Sequence, residues 1–391
     1  MKSHWNRVLA GTLALTMLGM TGCVQKPKNA GASVYVIVKS ADPYWDTTKA
    51  GALDAGEEMD LNVTFEAPET EAELDVQIEM VEDAINAGAK AIVLAALDTD
   101  ALNDTLAKAQ EANIHVLTID SDVSFANRRS CISTQNYAAG AIAARYAASL
   151  MNENGNLAII SHSETAQTAL ERVDGFTDEI NGTGTPAAPN GKEMRLTGLD
   201  SGALPIVPLE NGQPPAGRFP TEEQPQGETQ PYAKPETLPY SGSNTDGHTP
   251  QTGHPEITVT ETRVCNSNVQ QAFEETKQLI KENPDIKLIY ATNQPGTVGA
   301  CQAIEELGAA NTVQLVGFDY FDGADGYIES GVLDGVISQN PYNMGYLGVR
   351  YAKKLIEGNA VAESVDTGAT LITAENLNDE DIRFLVNPTG K

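Results

Sequence analysis

Cysteine is scarce in this chain of 391 residues. There are four: Cys23, Cys131, Cys265 and Cys301. The three beyond Cys23 are an odd number at irregular spacing, which excludes a disulfide framework and a paired-cysteine zinc site. The five histidines, His4, His115, His162, His248 and His254, fall at no metal-ligand spacing. No metal is expected. Cationic residues are also few, 25 Lys and Arg against 54 Asp and Glu, for a formal charge of −29. A chain that acidic offers no face to nucleic-acid phosphates. It has no phosphate loop and no Ser-His-Asp arrangement. Asp120 and Asp122 are only a weak imitation of a glycosidase acid pair. No cofactor and no catalytic residue are therefore expected. No apolar run reaches the roughly 20 residues that span a bilayer.

What is present begins with a leader. Lys2 and Arg7 precede a short apolar run, Val8 to Met20, and small residues follow it. That is the pattern of a secretory signal over residues 1–22. The sequence Met20-Thr21-Gly22-Cys23 resembles a bacterial lipobox, with Met20 where Leu is usual. Cys23 is then the lipidated first residue, and 23–32 a polar tether. An extracytoplasmic protein held to the cell membrane only by its lipid is expected.

From Ser33 onward, strand and helix patterns alternate almost strictly. Ser33 to Val38 is a β-branched run of the kind buried on both faces of a sheet. Helical spacing follows over 46–59, strand over 61–65, helix over 72–87, strand over 91–94, helix over 101–112 and strand over 115–119. The alternation then runs through a short strand over 131–133, helices over 138–151 and 165–180, and a strand over 157–160. It resumes at 257 and continues to a helix over 343–357. Such alternation predicts an α/β protein with two doubly wound parallel-sheet lobes. The break covers 181–255 and holds 13 of the 20 prolines. With almost no apolar periodicity it predicts a disordered Pro/Gly-rich insertion.

In doubly wound sheets, ligands bind off the carboxyl ends of the strands. The residues there are Lys39-Ser40-Ala41-Asp42-Pro43-Tyr44-Trp45, then Asp120-Ser121-Asp122, Asn293-Gln294, Gly317-Phe318-Asp319 and Gln339-Asn340, with Glu171-Arg172 early in the helix over 165–180. Aromatics suit stacking on a sugar ring. Acids, amides and an Arg fork suit hydroxyls. Asp42 and Asp319 fit a helix cap equally well.

Several of these pieces together resemble the sugar-binding proteins of ABC transporters in the ribose-binding group, the type I periplasmic binding proteins. They are Asp42-Pro43-Tyr44-Trp45, Ala112 to Asp120, Glu171 to Phe176, Asn283-Pro284-Asp285, Ala291-Thr292-Asn293, Val316 to Asp319 and Ser338-Gln339. The resemblance implies that Asp42, Tyr44, Trp45, Asp120, Arg172, Asn293, Asp319 and Gln339 contact a monosaccharide or polyol, and Ser121 is a candidate beside them. Two departures stand out. Ribose binders have Arg where Ser121 stands, and an aromatic where Cys265-Asn266-Ser267 stand.

The resemblance also implies a three-strand hinge between an N-terminal lobe (33–134 and 340–367) and a C-terminal lobe (135–339 and 368–391). The partner implied is an ABC transporter permease, and a monomer is expected. A sensor subunit presenting its ligand to a chemoreceptor or histidine kinase is the alternative.

Overall fold

The computed structural model describes residues 31–183 and 253–388. The expected leader, Cys23 with most of its tether, residues 184–252 of the expected insertion and residues 389–391 lie outside the described residues.

The chain builds two six-stranded sheets of the same design. The first holds β1 (Ser33–Ile37), β2 (Asn62–Glu66), β3 (Ala91–Leu94), β4 (His115–Ile119), β5 (Cys131–Ser133) and β11 (Ser364–Asp366), in the order β11-β5-β4-β3-β1-β2. The second holds β6 (Gly155–Ser161), β7 (Ile257–Val264), β8 (Ile286–Ala291), β9 (Gln314–Phe318), β10 (Gly335–Ser338) and β12 (Thr370–Thr373), in the order β12-β10-β9-β8-β6-β7. Position by position the two orders coincide, so β1 corresponds to β6, β4 to β9 and β5 to β10. All four residues of β3 are buried, as expected for a central strand covered on both faces.

The first sheet is covered by α1 (Tyr44–Glu58), α2 (Leu74–Asn86), α3 (Asn103–Glu111) and α9 (Pro341–Ile356). The second sheet goes with α4 (Asn136–Leu150), α5 (Gln167–Asn181), α6 (Val269–Glu282), α7 (Gln294–Leu307), α8 (Ala324–Ser330) and α10 (Glu380–Val386). Two departures from the expected alternation appear. β12 runs antiparallel to β10. The chain reaches it from β11 through residues 367–369, entering from the side where the other strands end, so it can only run the opposite way. The closing helix α10 was not expected, because its seven residues, with apolar Ile382, Phe384, Leu385 and Val386, are too short a run to show a helical period.

The paired helices repeat one device in each lobe. A methyl on Gly51 of α1 would lie 2.1 Å from the Tyr342 carbonyl oxygen of α9, and one on Gly345 would lie 2.0 Å from that of Thr48. In the second lobe, Gly175 of α5 faces the Tyr137 carbonyl at 2.0 Å and Gly140 of α4 faces that of Arg172 at 2.3 Å. Even the polar contacts match: Tyr342 donates to Asp54 and Tyr137 to Asp178, each at 2.8 Å. Helix against helix, α5 therefore corresponds to α1, α4 to α9, and Asn136 to Pro341.

The chain passes between sheets three times, at 134–135 after β5, at 339–340 after β10 and at 367–369 after β11. The first and third passages lie side by side, with Thr367 N donating to the Ser133 carbonyl at 3.0 Å. Elsewhere, the described residues on either side of 184–252 meet. Gly253 packs against Gly182, and His254 N donates to the Ile180 carbonyl at 2.7 Å. That junction lies at the amino end of β7, the pole of its lobe remote from the strand carboxyl ends.

Candidate functional site

The strand ends of the two sheets face each other and line a cleft of about 1300 Å³, with Lys39, Asp120 and Ser121 from one lobe and His162, Asn266 and Ser267 from the other. The residues that follow β4 and β9, Asp120 and Asp319, hold matching conformations. Both have positive φ, 57° and 65°. Both donate their N–H to the neighbouring strand, Asp120 to Ile132 and Asp319 to Ile337. Asp tolerates the left-handed region better than most side chains. A non-glycine residue held there in both lobes is the kind of strain that functional sites retain.

Around these two acids the buried charges pair. Lys39 Nζ lies 2.7 Å from Asp120 Oδ2, and the Ser121 hydroxyl donates to the same oxygen at 2.8 Å. Burial alone would push the Lys39 ammonium down, but Asp120, then Glu71, outweigh it, and the ammonium is held above its usual range. Burial likewise pushes Asp120 up. Lys39, and then Arg172, overcome that and leave it below the usual carboxylate range. Both partners thus agree on a stable ion pair.

Arg172, only 3% exposed, donates Nε to Asn136 Oδ1 at 2.8 Å and Nη1 to the Thr292 carbonyl at 2.9 Å. Its guanidinium lies 3.8 Å over the Phe318 ring, and Nη1 is 3.7 Å from Asp319 Oδ2. Asp319 accepts from Gln339 Nε2 at 2.8 Å, and that amide also reaches Tyr44 Oη at 3.1 Å. Burial lifts the Asp319 carboxyl above its ordinary value despite Arg172.

The other expected site residues fall differently. Asn293 is the N-cap of α7, accepting from Gly296 N at 2.9 Å, and its Nδ2 donates to Ser267 Oγ at 3.1 Å. It is both cap and cleft neighbour. Asp319 caps no helix. Asp42 is exposed, takes only the Ser40 hydroxyl at 2.7 Å, and stands apart from the paired charges. Trp45 was expected as a stacking wall. It is 4% exposed and packs in the core of its lobe, with Tyr44 edge-on at 5.0 Å and Lys39 at 6.0 Å from its ring. The position before it in α1 turns outward, so Tyr44 is the ring nearer the cleft. Asp122 is satisfied within its own lobe by Arg128 at 2.9 Å and the Thr118 hydroxyl at 2.7 Å.

Sequence reasoning assigned no role to Lys39, His162 or Asn136. His162 follows β6 directly and Lys39 stands two residues past β1, so the strand-end rule reaches both. Asn136 opens a helix and carries no such signal. Nor does the sequence reveal that Arg172 is built into the lobe rather than projecting freely from it.

His162 is buried between Thr292 Oγ1, at 2.8 Å from Nδ1, and Thr168 Oγ1, at 3.2 Å from Nε2. Burial, then Arg172 and Lys39, hold its pKa well below the ordinary value of 6.5. The unfolded chain takes up a proton near pH 6.5 and the folded one does not. The stability this supplies is complete above 6.5 and is lost as the pH falls from there toward the folded value. Its slope is up to about 1.4 kcal/mol per pH unit. His115, also depressed by burial and by Arg129, adds the same sign. Urea unfolding at pH 7, 6 and 5 should show a shallower loss for His162→Gln than for the parent. Equal slopes would place the titration elsewhere.

Comparison with known proteins agrees with this geometry. A family model described as a periplasmic binding protein domain matches residues 34–200 and 245–360. The D-allose-binding periplasmic protein of Escherichia coli K12 is 21% identical over 345 residues, covering 88% of this chain and 89% of that one. A solved ABC transporter solute binding protein from Agrobacterium vitis, with bound D-fucose, superposes with a TM-score of 0.69 at 24% identity, covering 91% of this chain and all of the other. A carbohydrate transporter solute binding protein from Agrobacterium radiobacter, in complex with D-arabinose, has a TM-score of 0.69 at 24% identity, over 92% and 99% of the two chains. With the two-lobed type I architecture and a family match over most of its length, the chain belongs to the periplasmic binding protein family, a family of binding proteins and not of enzymes.

Proposed function

We propose that this protein captures a neutral monosaccharide or sugar-like polyol between its lobes and delivers it to an ABC transporter permease. One observation carries the reading. Lys39–Asp120 from one lobe, Arg172–Asp319 from the other and Gln339 from a connecting passage bury polar groups at the meeting of the two sheets. Lys39 and Asp120 line the cleft of about 1300 Å³, and Asp319 and Gln339 line a second cavity of about 430 Å³ with Tyr44. Buried charges that pair off and border such openings suit hydroxyls, which both accept and donate. The ligand-contacting set we propose is Tyr44, Asp120, Ser121, Arg172, Asn293, Asp319 and Gln339, with Lys39 added and with Asp42 and Trp45 at its edge. The sugars named for the relatives support the class of ligand.

The lobes are taken as residues 33–134 with 340–367, and 135–339 with 368–391. The three passages between them then act as the hinge, and closure of one lobe over a ligand held by the other buries it. The same reading takes Cys23 as the lipid attachment that keeps the protein at the outer face of the cell membrane.

A thermal-shift screen tests this. D-Allose, D-ribose, D-arabinose, D-fucose, D-glucose and myo-inositol are the probes, with amino acids and sugar acids as contrasts. A ligand at 100 times its dissociation constant adds about 2.7 kcal/mol of stability. For a chain of this length this is a shift of a few degrees. A shift by an amino acid and by none of the sugars would sink the reading.

A further inference from the structure

All three passages between the lobes connect to the hydrogen bonds and the ion pair of one side chain, Arg172. Its Nη1 faces Asp319, which takes the Gln339 amide from the second passage. Its Nε is held by Asn136 Oδ1, and Asn136 Nδ2 donates to the Thr134 carbonyl of the first passage at 3.2 Å. The Thr134 hydroxyl donates in turn to the Gly368 carbonyl of the third passage at 3.4 Å. Asp366 Oδ1 also ties the first passage to the third, accepting from Gln135 N at 3.3 Å and from Gly368 N at 2.8 Å.

We propose that Asn136 is a positioning residue. Its carboxamide fixes the Arg172 guanidinium for the ligand and couples it to the hinge, so that capture and closure act on the same side chain. The proposal rests on the sugar-binding reading of the cleft.

The helix geometry supports this. Asn136 is the first residue of α4 and is 5% exposed. Its counterpart at the start of α9 is Pro341, an ordinary first-turn residue, and there Asn340 caps the helix by accepting from Asn343 N at 3.1 Å. In α4 the cap residue, Gln135, makes no side-chain cap. The second lobe forgoes the ordinary start and turns both polar atoms of Asn136 inward, one to Arg172 and one to the passage. With Nε and Nη1 pinned and the plane lying on Phe318, the fork has one defined orientation. Nη2 is then the nitrogen with no hydrogen bond among the described residues, available to a ligand hydroxyl. Without Asn136, Nε has no acceptor, and the plane can turn about the Thr292 contact.

The test is the Arg172 Nε–Hε signal in a proton–nitrogen spectrum of the full chain, assigned by its loss in Arg172→Lys. In the parent protein that proton should exchange slowly with water. In Asn136→Ala its exchange should speed at least about tenfold, because a protected proton becomes an unbonded one. Asn136→Asp keeps the acceptor and should keep the slow signal.

Affinity for the probe sugars, D-allose, D-arabinose and D-fucose, is the second readout. Asn136→Ala should weaken it at least about tenfold. Asn136→Asp, which loses the donor to Thr134, should weaken it while the Arg172 signal stays. Unchanged Arg172 exchange in a folded Asn136→Ala protein would overturn the positioning role, as would fast exchange in Asn136→Asp should the alanine variant not fold. Parent-like affinity in Asn136→Asp would overturn the hinge coupling. If no probe sugar binds even the parent protein, the functional reading fails, and the exchange result stands on its own.

Discussion

Arg172→Ala is expected to lose ligand affinity by about 100-fold and also to lose about 3 kcal/mol of folding stability. The affinity loss follows from a charged, oriented donor removed from buried hydroxyls. The stability loss follows from what the guanidinium holds together inside its own lobe. Taking it away strands Asn136 Oδ1 and the Thr292 carbonyl. It also bares the Phe318 face, and leaves buried Asp319 with the Gln339 amide and the more distant Lys39 charge to answer its own.

The pH dependence separates these causes. Burial already raises the Asp319 carboxyl, and Arg172 restrains that rise. Without Arg172 the folded value climbs further. A carboxyl with a raised folded pKa favours the folded state while protonated, and that advantage is lost as the pH rises through its pKa. The deficit of the variant should therefore be smaller at pH 4 than at pH 7. Asp319→Asn added to Arg172→Ala should recover part of the stability at pH 7 and little of the affinity. The coupling of the two sites is read by a double-mutant cycle in urea. A stability deficit that is flat with pH, with additive mutants, would show that Asp319 does not depend on Arg172.

The architecture was legible in the sequence because both sheets are covered on both faces, so their strands appear as continuous apolar runs between helical periods. Ala91 to Leu94 needs no tertiary information to be identified as a buried strand. β12 and α10 were harder for opposite reasons. A four-residue strand of Thr, Leu, Ile and Thr says nothing about its direction, which here is set by where the chain enters the sheet. Four apolar residues crowded into the last five of a seven-residue helix show no helical period. At the site, the strand-end rule picks out Asp120, Asp319 and Gln339, which the fold buries in polar contacts with residues from other elements. At Trp45 the rule gives no direction, because a helix turns successive side chains by about 100°, and here Trp45 packs into its lobe while Tyr44 reaches Gln339. The rule could not reach Asn136, whose contact with Arg172 exists only because α4 and α5 touch.

That helix contact is the second place where a single atom should have a large effect. Gly175→Ala puts a methyl where the Tyr137 carbonyl oxygen is 2.0 Å away, with the carbonyl carbon at 2.7 Å and Cα at 3.0 Å. All three are backbone, so no side chain can swing aside, and α5 must move off α4. In an open helix the same change would help, because alanine is the better helix former by about 1 kcal/mol. Overpacking a rigid contact costs about 1–3 kcal/mol and occasionally more. At an approach this close, the upper end of that range wins. We expect a net loss of about 3 kcal/mol, a fall of several degrees in melting temperature.

The displacement also reaches the site. Arg172 lies three residues before Gly175 on α5, and its acceptor Asn136 lies on α4, so separating the helices stretches the Nε–Oδ1 bond of 2.8 Å. Ligand affinity should fall with stability, although Gly175 lines no part of the cleft. Gly326→Ala is the matched control. It sits in α8, is exposed, and has nothing within 4 Å of the added methyl. It should gain up to about 1 kcal/mol by helix propensity and by a less flexible unfolded chain. Calorimetry of the two variants reads opposite signs from one and the same chemical change. Equal and small shifts in both would mean that α4 and α5 can part without cost, and that their glycines do not set the place of Arg172.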